Sequence, residues 1–303
     1  MRILITGSNG LLGQHIVGQL QKRGISFLAT SQGENRNPDC PNENYAIGDI
    51  CDHAQMRTLI ETFQPTHIIH TAAVTNVDLC EQEHALCRAV NVDAVQNLFS
   101  IAEEKNIHFQ LLSTDFVFDG EAGPYKEEDA VNPLSAYAVS KVDAELILLQ
   151  SGYKNWSIAR TIIIYGPGKN LSRGNLVEWA LDALPKEQPM RLVNDQFRAP
   201  TWAGDLAWGC IEICTQEQTG IFHLSGPETM SVVDIVKKIA KHCGYSTANI
   251  EEISSKTLNQ AAKRPPYTGF ILDKAKKVLN YNPKQIEETI DLLRMTNATR
   301  TTL

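Results

Sequence analysis

The stretch Met1-Arg-Ile-Leu-Ile-Thr-Gly7-Ser-Asn-Gly10-Leu-Leu-Gly13-Gln-His-Ile-Val17 carries the reading that decides the fold. Arg2–Thr6 is a short β-branched run of strand character, and glycines follow at 7, 10 and 13. Leu12, Ile16, Val17 and Leu20 then recur with helical spacing, and Gly24 marks a stop. The glycine pattern is G-x-x-G-x-x-G rather than the commoner G-x-G-x-x-G, but the physics is shared. Glycines let the backbone turn sharply and approach a pyrophosphate at the positive end of a helix. Gly7, Asn9, Gly10, Leu11, Leu12 and Gly13 are therefore candidates for a dinucleotide cradle, set against the plain reading of a tight turn.

Working outward, strand-like runs recur at Ser26–Thr30, Tyr45–Gly48, His67–Thr71, His108–Leu112 and Ser157–Ile164. Amphipathic stretches lie between them, at Leu11–Lys22, His53–Phe63, Ala85–Lys105 and Ser135–Gln150. Strict alternation of strand and helix requires crossovers, and so predicts an α/β, doubly wound parallel Rossmann-type sheet with ligands at the carboxyl ends of its strands. After Gly166-Pro-Gly168 the alternation weakens. Helices are predicted near Leu176–Leu184, Asp205–Cys214, Val232–Cys243, Asp273–Leu279 and Ile286–Met295, a strand near Met190–Val193, and a frayed tail over Ala298–Leu303. This divides the chain into a dinucleotide-binding domain at 1–166 and a smaller C-terminal substrate lobe at 167–303. Residues 203–224 return to the first domain through Gly220–Leu224.

Composition narrows the function classes. The 303 residues are 43% hydrophobic and 21% charged, an ordinary globular balance. Lys plus Arg number 28 against 35 Asp plus Glu, and the net charge of -7 argues against nucleic acid as a partner. No apolar run is long enough to span a bilayer, so no membrane partner is expected. Seven cysteines, odd in number and without a C-x-x-C pair, fit reduced thiols in a cytoplasmic protein better than disulfides or a zinc site. No metal site is assigned. The histidines His67 and His70 read as core residues.

At the end of the second strand a NAD site usually offers a carboxylate to the adenosine ribose. Here stand Ala29-Thr-Ser31-Gln, with Glu34 and Arg36 beyond. Hydroxyls and an arginine suit a 2'-phosphate, which points to NADPH, with NADH kept open by the nearby Glu34. Asp49 is read either as a partner of the adenine amino group or as a cap for the helix that begins near His53.

Tyr137-Ala-Val-Ser-Lys141 falls in a helical stretch, which sets a phenol and an ammonium one turn apart on one face. A fixed ammonium should lower the pKa of the phenol and make it a usable proton donor or acceptor. Tyr165-Gly-Pro-Gly-Lys169 repeats the spacing, but Gly-Pro-Gly does not hold a helical turn. The run Leu111-Leu-Ser-Thr114-Asp115-Phe-Val-Phe118 ends a strand in hydroxyls at the sheet edge, and Thr114 could hold a substrate oxygen beside Tyr137.

Together, Thr6–Gly13, His70-Thr-Ala-Ala73, Asn91, Ser113-Thr-Asp115 and Tyr137-x-x-x-Lys141 resemble the extended short-chain dehydrogenase/reductases. More narrowly, Ser113-Thr-Asp-Phe-Val-Phe-Asp-Gly120, Asn132-Pro-Leu-Ser-Ala-Tyr137, Asp195-Gln-Phe-Arg-Ala-Pro-Thr201 and Arg264-Pro265 resemble the dTDP-4-dehydrorhamnose reductase family. The resemblance implies NAD(P)H-dependent reduction of the 4-keto group of a nucleotide-linked deoxysugar. It places Thr114 and Tyr137 on the reacting oxygen, Lys141 on the nicotinamide ribose, and Asp115 as an orienting group. Ser31, Arg36, Asp49, Ile50, Ala72, Ala73, Thr75 and Asn91 are implied on the cofactor side. Val77, Asp195, Gln196, Arg198, Thr201 and Arg264 are implied near the sugar nucleotide, and Lys169, Arg173, Arg198 and Arg264 are candidate partners for its diphosphate. A homodimer is a family-level expectation.

Two positions depart from the family pattern. Ile163 stands where members often carry tryptophan near the sugar, and His15 where some carry an acidic residue of an intersubunit metal site. Two other resemblances compete: the regulatory beta subunit of methionine adenosyltransferase, and the sugar-nucleotide epimerases, which recycle a tightly held NAD.

Overall fold

In the computed structural model the backbone is described for residues 1–300 and the side chains as far as Arg294. Seven strands form one parallel sheet: β1 (Arg2–Thr6), β2 (Ser26–Ser31), β3 (Tyr45–Ile47), β4 (His67–His70), β5 (His108–Thr114), β6 (Trp156–Thr161) and, after four short strands, β11 (Gly220–His223). Their order is β11-β6-β5-β4-β1-β2-β3, so the chain reverses direction across the sheet between β1 and β4. The register aligns Thr6 with Thr30 and His70, and Thr114 with Thr161. All these strands end at one edge, and the crevice outside that edge at the reversal point is where such sheets bind ligands.

Helices α1 (Leu11–Lys22), α2 (His53–Phe63), α3 (Val77–Gln82), α4 (His84–Arg88), α5 (Ala94–Glu104) and α6 (Ala136–Leu149) connect the strands, and α7 (Leu176–Ala183) and α8 (Ala203–Thr215) follow. Leu12, Ile16, Val17 and Leu20 face the core with Ile3, Ile5 and Phe27, and α8 shares that cluster. Leu4, Ile68, Phe109 and Ile158 meet α2, α5 and α6 on the opposite face. Burial on both faces is why these strands read as continuous apolar runs.

The lobe holds three small sheets: β7 (Ile164–Tyr165) with β10 (Thr201–Trp202), β8 (Met190–Val193) with β13 (Ile250–Ile253), and β9 (Phe197–Arg198) with β12 (Met230–Ser231). Helices α9 (Val232–Cys243) and α11 (Ile286–Arg300) share a separate core with α7, while α10 (Asp273–Leu279) packs beneath β11. Among the described residues no helix is long and apolar enough to cross a membrane, and the cysteines are all free.

Four sequence expectations need correction. The run Ala85–Lys105 is not one helix, because Ala89–Asp93 forms a π-helical turn between α4 and α5. The side chain of Asn91 in that turn bonds both backbone groups of Val74, at 2.8 and 3.0 Å. The strand drawn through Ile164 leaves the sheet at Thr161, where Thr201 Oγ1 takes the Ile162 carbonyl at 2.5 Å. Asp49 does not cap α2: Asp52 does, accepting from the Gln55 N–H, while Asp49 accepts from Cys51 N and Gln32 Nε2. Finally, α11 continues to Arg300 through part of the tail expected to fray, whose last three residues, 301–303, lie outside the described ones.

Burial holds three histidines neutral: His67 is drawn down to about 4, His70 to about 3, and His223 well below the ordinary imidazole range. The unfolded chain takes up these protons more readily, so this contribution to stability is full above about pH 6.5 and is lost as pH falls toward the folded values. The urea midpoint should therefore drop between about pH 6.5 and about pH 4, and His70→Asn should flatten that slope.

Candidate active site

The turn from β1 into α1 is built on two close approaches. Gly7 has φ +70° and lies so near β4 that a Cβ there would stand 2.7 Å from Ala72 N. At Gly13 a Cβ would meet the Gly7 carbonyl at 2.5 Å and Ser8 Cα at 2.6 Å, so α1 starts directly against the loop. Gly10 is the N-cap of α1 and no side chain caps the helix, which leaves its first N–H groups directed into the crevice. Asn9 braces the loop: Ser31 Oγ accepts from its backbone N–H at 3.0 Å, and its side chain binds Arg36 N and Glu34 O. This holds the segment after β2 beside the loop and leaves the Arg36 side chain exposed.

A cleft of about 500 Å3 runs from this loop across the sheet edge. Asn9, Gly10 and Leu11 line one end, with Thr71, Ala73, Thr75 and Val77 after β4, and Ser113, Thr114, Asp115, Phe116, Tyr137 and Lys141 at the other end. The lobe closes it with Ile163, Ile164 and the segment Leu171–Leu176.

Ser135 caps α6 by accepting from the Ala138 N–H, which fixes where the helix begins and turns Tyr137, Ser140, Lys141, Ala144 and Glu145 to its buried face. Lys141 Nζ donates to the Leu112 carbonyl at 2.8 Å. Thr114 Oγ1 donates to Asp115 Oδ1 at 3.1 Å and accepts from the Phe116 N–H at 3.3 Å, and Thr114 and Tyr137 line the same end of the cleft. Burial raises the Tyr137 phenol above its ordinary value, and the contact with Thr114 opposes that rise. The sequence led to the expectation of a lowered phenol; in the structure burial outweighs the opposing contacts and leaves it raised. Burial draws Lys141 itself down to about 8, against the pull of Glu145.

Asp115 is 2% exposed, and burial raises its carboxyl although Arg198, Thr268 and Thr114 all favour the charged form. Its Oδ2 accepts from Thr268 Oγ1 and lies 3.9 Å from Arg198 Nε. Arg198 in turn donates to the carbonyls of Phe197 and Pro265, both at 2.7 Å. The end of β5 is thereby fastened to the lobe.

Other expected residues fall outside the cleft. Ile50 is in the core under α2, Asn91 is a clamp on Val74, and Gly7, Leu12, Gly13 and Ala72 support the loop from behind. Arg198 and Thr201 are buried and bonded to backbone, Gln196 is buried beside them, and Asp195 binds Ser254 and Ser255. Arg264 pairs with Asp78 at 2.7 Å, and Lys169 with Asp39 at 2.8 Å. Of the four candidate diphosphate cations only Arg173 reaches the cleft wall. Tyr165 points away and bonds Thr289 Oγ1 at 2.6 Å, so the second tyrosine–lysine pair does not converge. His15 bonds the Pro167 carbonyl at 2.9 Å. Sequence reading missed Thr268 and the wall formed by Leu171, Ser172, Asn175 and Leu176, for which Gly166-Pro-Gly168 was the only signal.

Fold and site together define a Rossmann-type protein of the extended short-chain dehydrogenase/reductase class. The chain belongs to the RmlD substrate binding domain family, whose profile matches residues 1–297. It is 30% identical to a probable low-salt glycan biosynthesis reductase, Agl14, of Haloferax volcanii over 88% of both chains. It is 28% identical to the methionine adenosyltransferase 2 subunit beta of Xenopus laevis over 87% of this chain and 78% of that one. A solved dTDP-4-dehydrorhamnose reductase from Clostridium acetobutylicum superposes with a TM-score of 0.82 at 27% identity, covering 97% of this chain and all of the other.

Because Gly13 stands against backbone atoms that cannot yield cheaply, Gly13→Ala should displace the start of α1. Dinucleotide affinity, measured by fluorescence titration, should fall by at least about tenfold.

Proposed function

We propose that this chain is an oxidoreductase that uses NADPH to reduce the 4-keto group of a nucleotide-linked 6-deoxysugar, with dTDP-4-dehydrorhamnose, giving dTDP-L-rhamnose, as the first substrate to test. One observation carries this reading: a single cleft joins an uncapped helix N-terminus at Gly10 to Thr114, Tyr137 and Lys141 at its other end. The family and the reductases among its relatives support it.

The residues present fit a dinucleotide. Gly10 and the start of α1 would hold the pyrophosphate, Ser31 and the exposed Arg36 a 2'-phosphate, Ala73 and Thr75 the middle of the cofactor, and Lys141 the nicotinamide ribose. When bound, the reduced nicotinamide supplies the hydride. The protein's part is to hold the substrate oxygen and supply a proton. Burial keeps the Tyr137 phenol protonated at neutral pH, the form a donor needs, and a carbonyl oxygen that takes up the C=O π pair as hydride adds to its carbon is far more basic than a phenolate. Tyr137 Oη gives its proton to that oxygen. The Thr114 hydroxyl, which donates to Asp115 in the absence of substrate, would turn to donate to that oxygen, while the Phe116 N–H holds Thr114 Oγ1 in place. The Lys141 ammonium stabilises the negative charge left on Tyr137. Val77, Phe116, Ile163 and Leu176 give the sugar end an apolar wall suited to a deoxysugar.

Incubation with NADPH or NADH and a panel of nucleotide-linked 4-keto sugars tests the proposal through the absorbance of the reduced nicotinamide. Tyr137→Phe should lower kcat by about two to four orders of magnitude with NADPH binding nearly unchanged. Arg36→Ala should raise the KM for NADPH by about tenfold and leave that for NADH unaffected. Tight NADPH binding without turnover of any sugar would instead favour a regulatory role like that of the methionine adenosyltransferase relative.

A further inference from the structure

The proposed reaction brings two diphosphates into one cleft, that of the cofactor and that of the sugar nucleotide. Three charged side chains line this cleft: Asp115, Lys141 and Arg173. Asp115 is buried against Thr268 and Arg198, and Lys141 donates to the Leu112 carbonyl. Arg173 is exposed, and among the described residues its guanidinium has no hydrogen-bond or ion-pair partner.

The backbone that carries Arg173 is fixed on both sides. Residues 166–175 run from β7 to α7 as a strap, and Gln14 on α1 grips it by both backbone groups of Lys169. Gln14 Nε2 donates to the Lys169 carbonyl at 2.7 Å, and Gln14 Oε1 accepts from the Lys169 N–H at 2.9 Å. The same Nε2 donates to the Asn9 carbonyl at 3.2 Å, which ties the strap to the glycine loop itself. Beside it, Lys169 Nζ pairs with Asp39 at 2.8 Å and Asn170 Nδ2 donates to the Arg36 carbonyl at 3.0 Å. Asn170 then takes φ 52°, a left-handed conformation that asparagine tolerates, and from Leu171 the chain forms the cleft wall. At the far end Asn175 caps α7 by accepting from the Glu178 N–H at 3.0 Å, and its Nδ2 donates back to the Gly166 carbonyl at 3.4 Å.

We propose that Arg173 is a binding residue for a diphosphate in this cleft. The proposal rests on the reading above, in which the cleft takes a dinucleotide and a nucleotide sugar. A guanidinium offers parallel N–H groups that match a pair of phosphate oxygens. Lys169, Arg198 and Arg264 are already engaged with Asp39, Asp115 and Asp78, so an anion would have to displace a carboxylate from each. Arg173 gives up only water. In a chain of net charge -7, the cleft wall carries two cations against one carboxylate, the excess of sign that a phosphate ligand requires.

Isothermal titration calorimetry tests this with NADPH on the free protein, and with dTDP and UDP on the protein saturated with NADPH. Arg173→Gln keeps most of the side chain and removes the charge. It should weaken one of these ligands by about tenfold or more, and Arg173→Lys, which keeps the charge without the fork, should recover part of the loss. Because Arg173 is exposed and bonds nothing in the fold, neither variant should shift Tm. A loss confined to the nucleoside diphosphates assigns Arg173 to the substrate, and one confined to NADPH assigns it to the cofactor. In either arm, partial recovery in Arg173→Lys marks an effect of charge and supports the proposal. Affinities unchanged in every arm that binds, or a loss that Arg173→Lys does not recover at all, overturn it. If NADPH binds and neither nucleoside diphosphate does, the nucleotide-sugar reading fails by itself, and the NADPH arm still decides the role of Arg173.

Discussion

The Lys141 ammonium, nearly sealed from water and donating to the Leu112 carbonyl, is the contact to which the surrounding structure answers. Burying an ion costs several kcal/mol even after relaxation, roughly the scale of a domain's whole stability. Its position therefore has to be held from several sides. Ser135 fixes the start of α6, the β5–β6 pairing fixes Leu112, and Glu145 with Arg160 ties the next turn of the helix to β6. These ties make the Tyr137–Lys141 end of the cleft and the core beneath it one packed unit.

The opposite end of the cleft obeys a different constraint, that of close approach. Gly7 and Gly13 bring β1, α1 and the start of the segment after β4 nearer than any side chain permits. This leaves the helix N-terminus open at Gly10. Between the two ends, Asn91 in its π-turn holds Val74, which shapes the wall between β4 and α3. A helical turn widened in this way places a side chain where a regular helix would not reach.

The lobe contributes to the cleft a wall of Ile163, Ile164 and the segment Leu171–Leu176. A buried cluster of Asp115, Thr268 and Arg198 joins it to the sheet domain, and through it the residue after Thr114 is bonded to a segment more than 150 positions away. Arg198 looked available to a diphosphate from its neighbours in sequence. In the fold its guanidinium is bonded to the Phe197 and Pro265 carbonyls beside Asp115, and of the four candidate cations Arg173 alone lines the cleft.

Local pattern sufficed for whatever depends on local forces. The β1–α1 turn, the boundaries of α1, α2, α9 and α10, and the shared face of Tyr137 and Lys141 follow from periodicity, glycine and capping, which act within a few residues. The break at Asn91, the exit of the chain from the sheet at Thr161, and the bonds that Asp195, Arg198, Thr201 and Arg264 make within the protein were not readable this way. Each depends on a partner brought close only by packing: Val74, Ile162, Ser254, Pro265, Asp78. The same holds for the charges, since whether a lysine is tuned by a tyrosine, a carbonyl or a glutamate depends on burial and direction. Those are properties of the assembled sheet and helices, and spacing along the chain does not contain them.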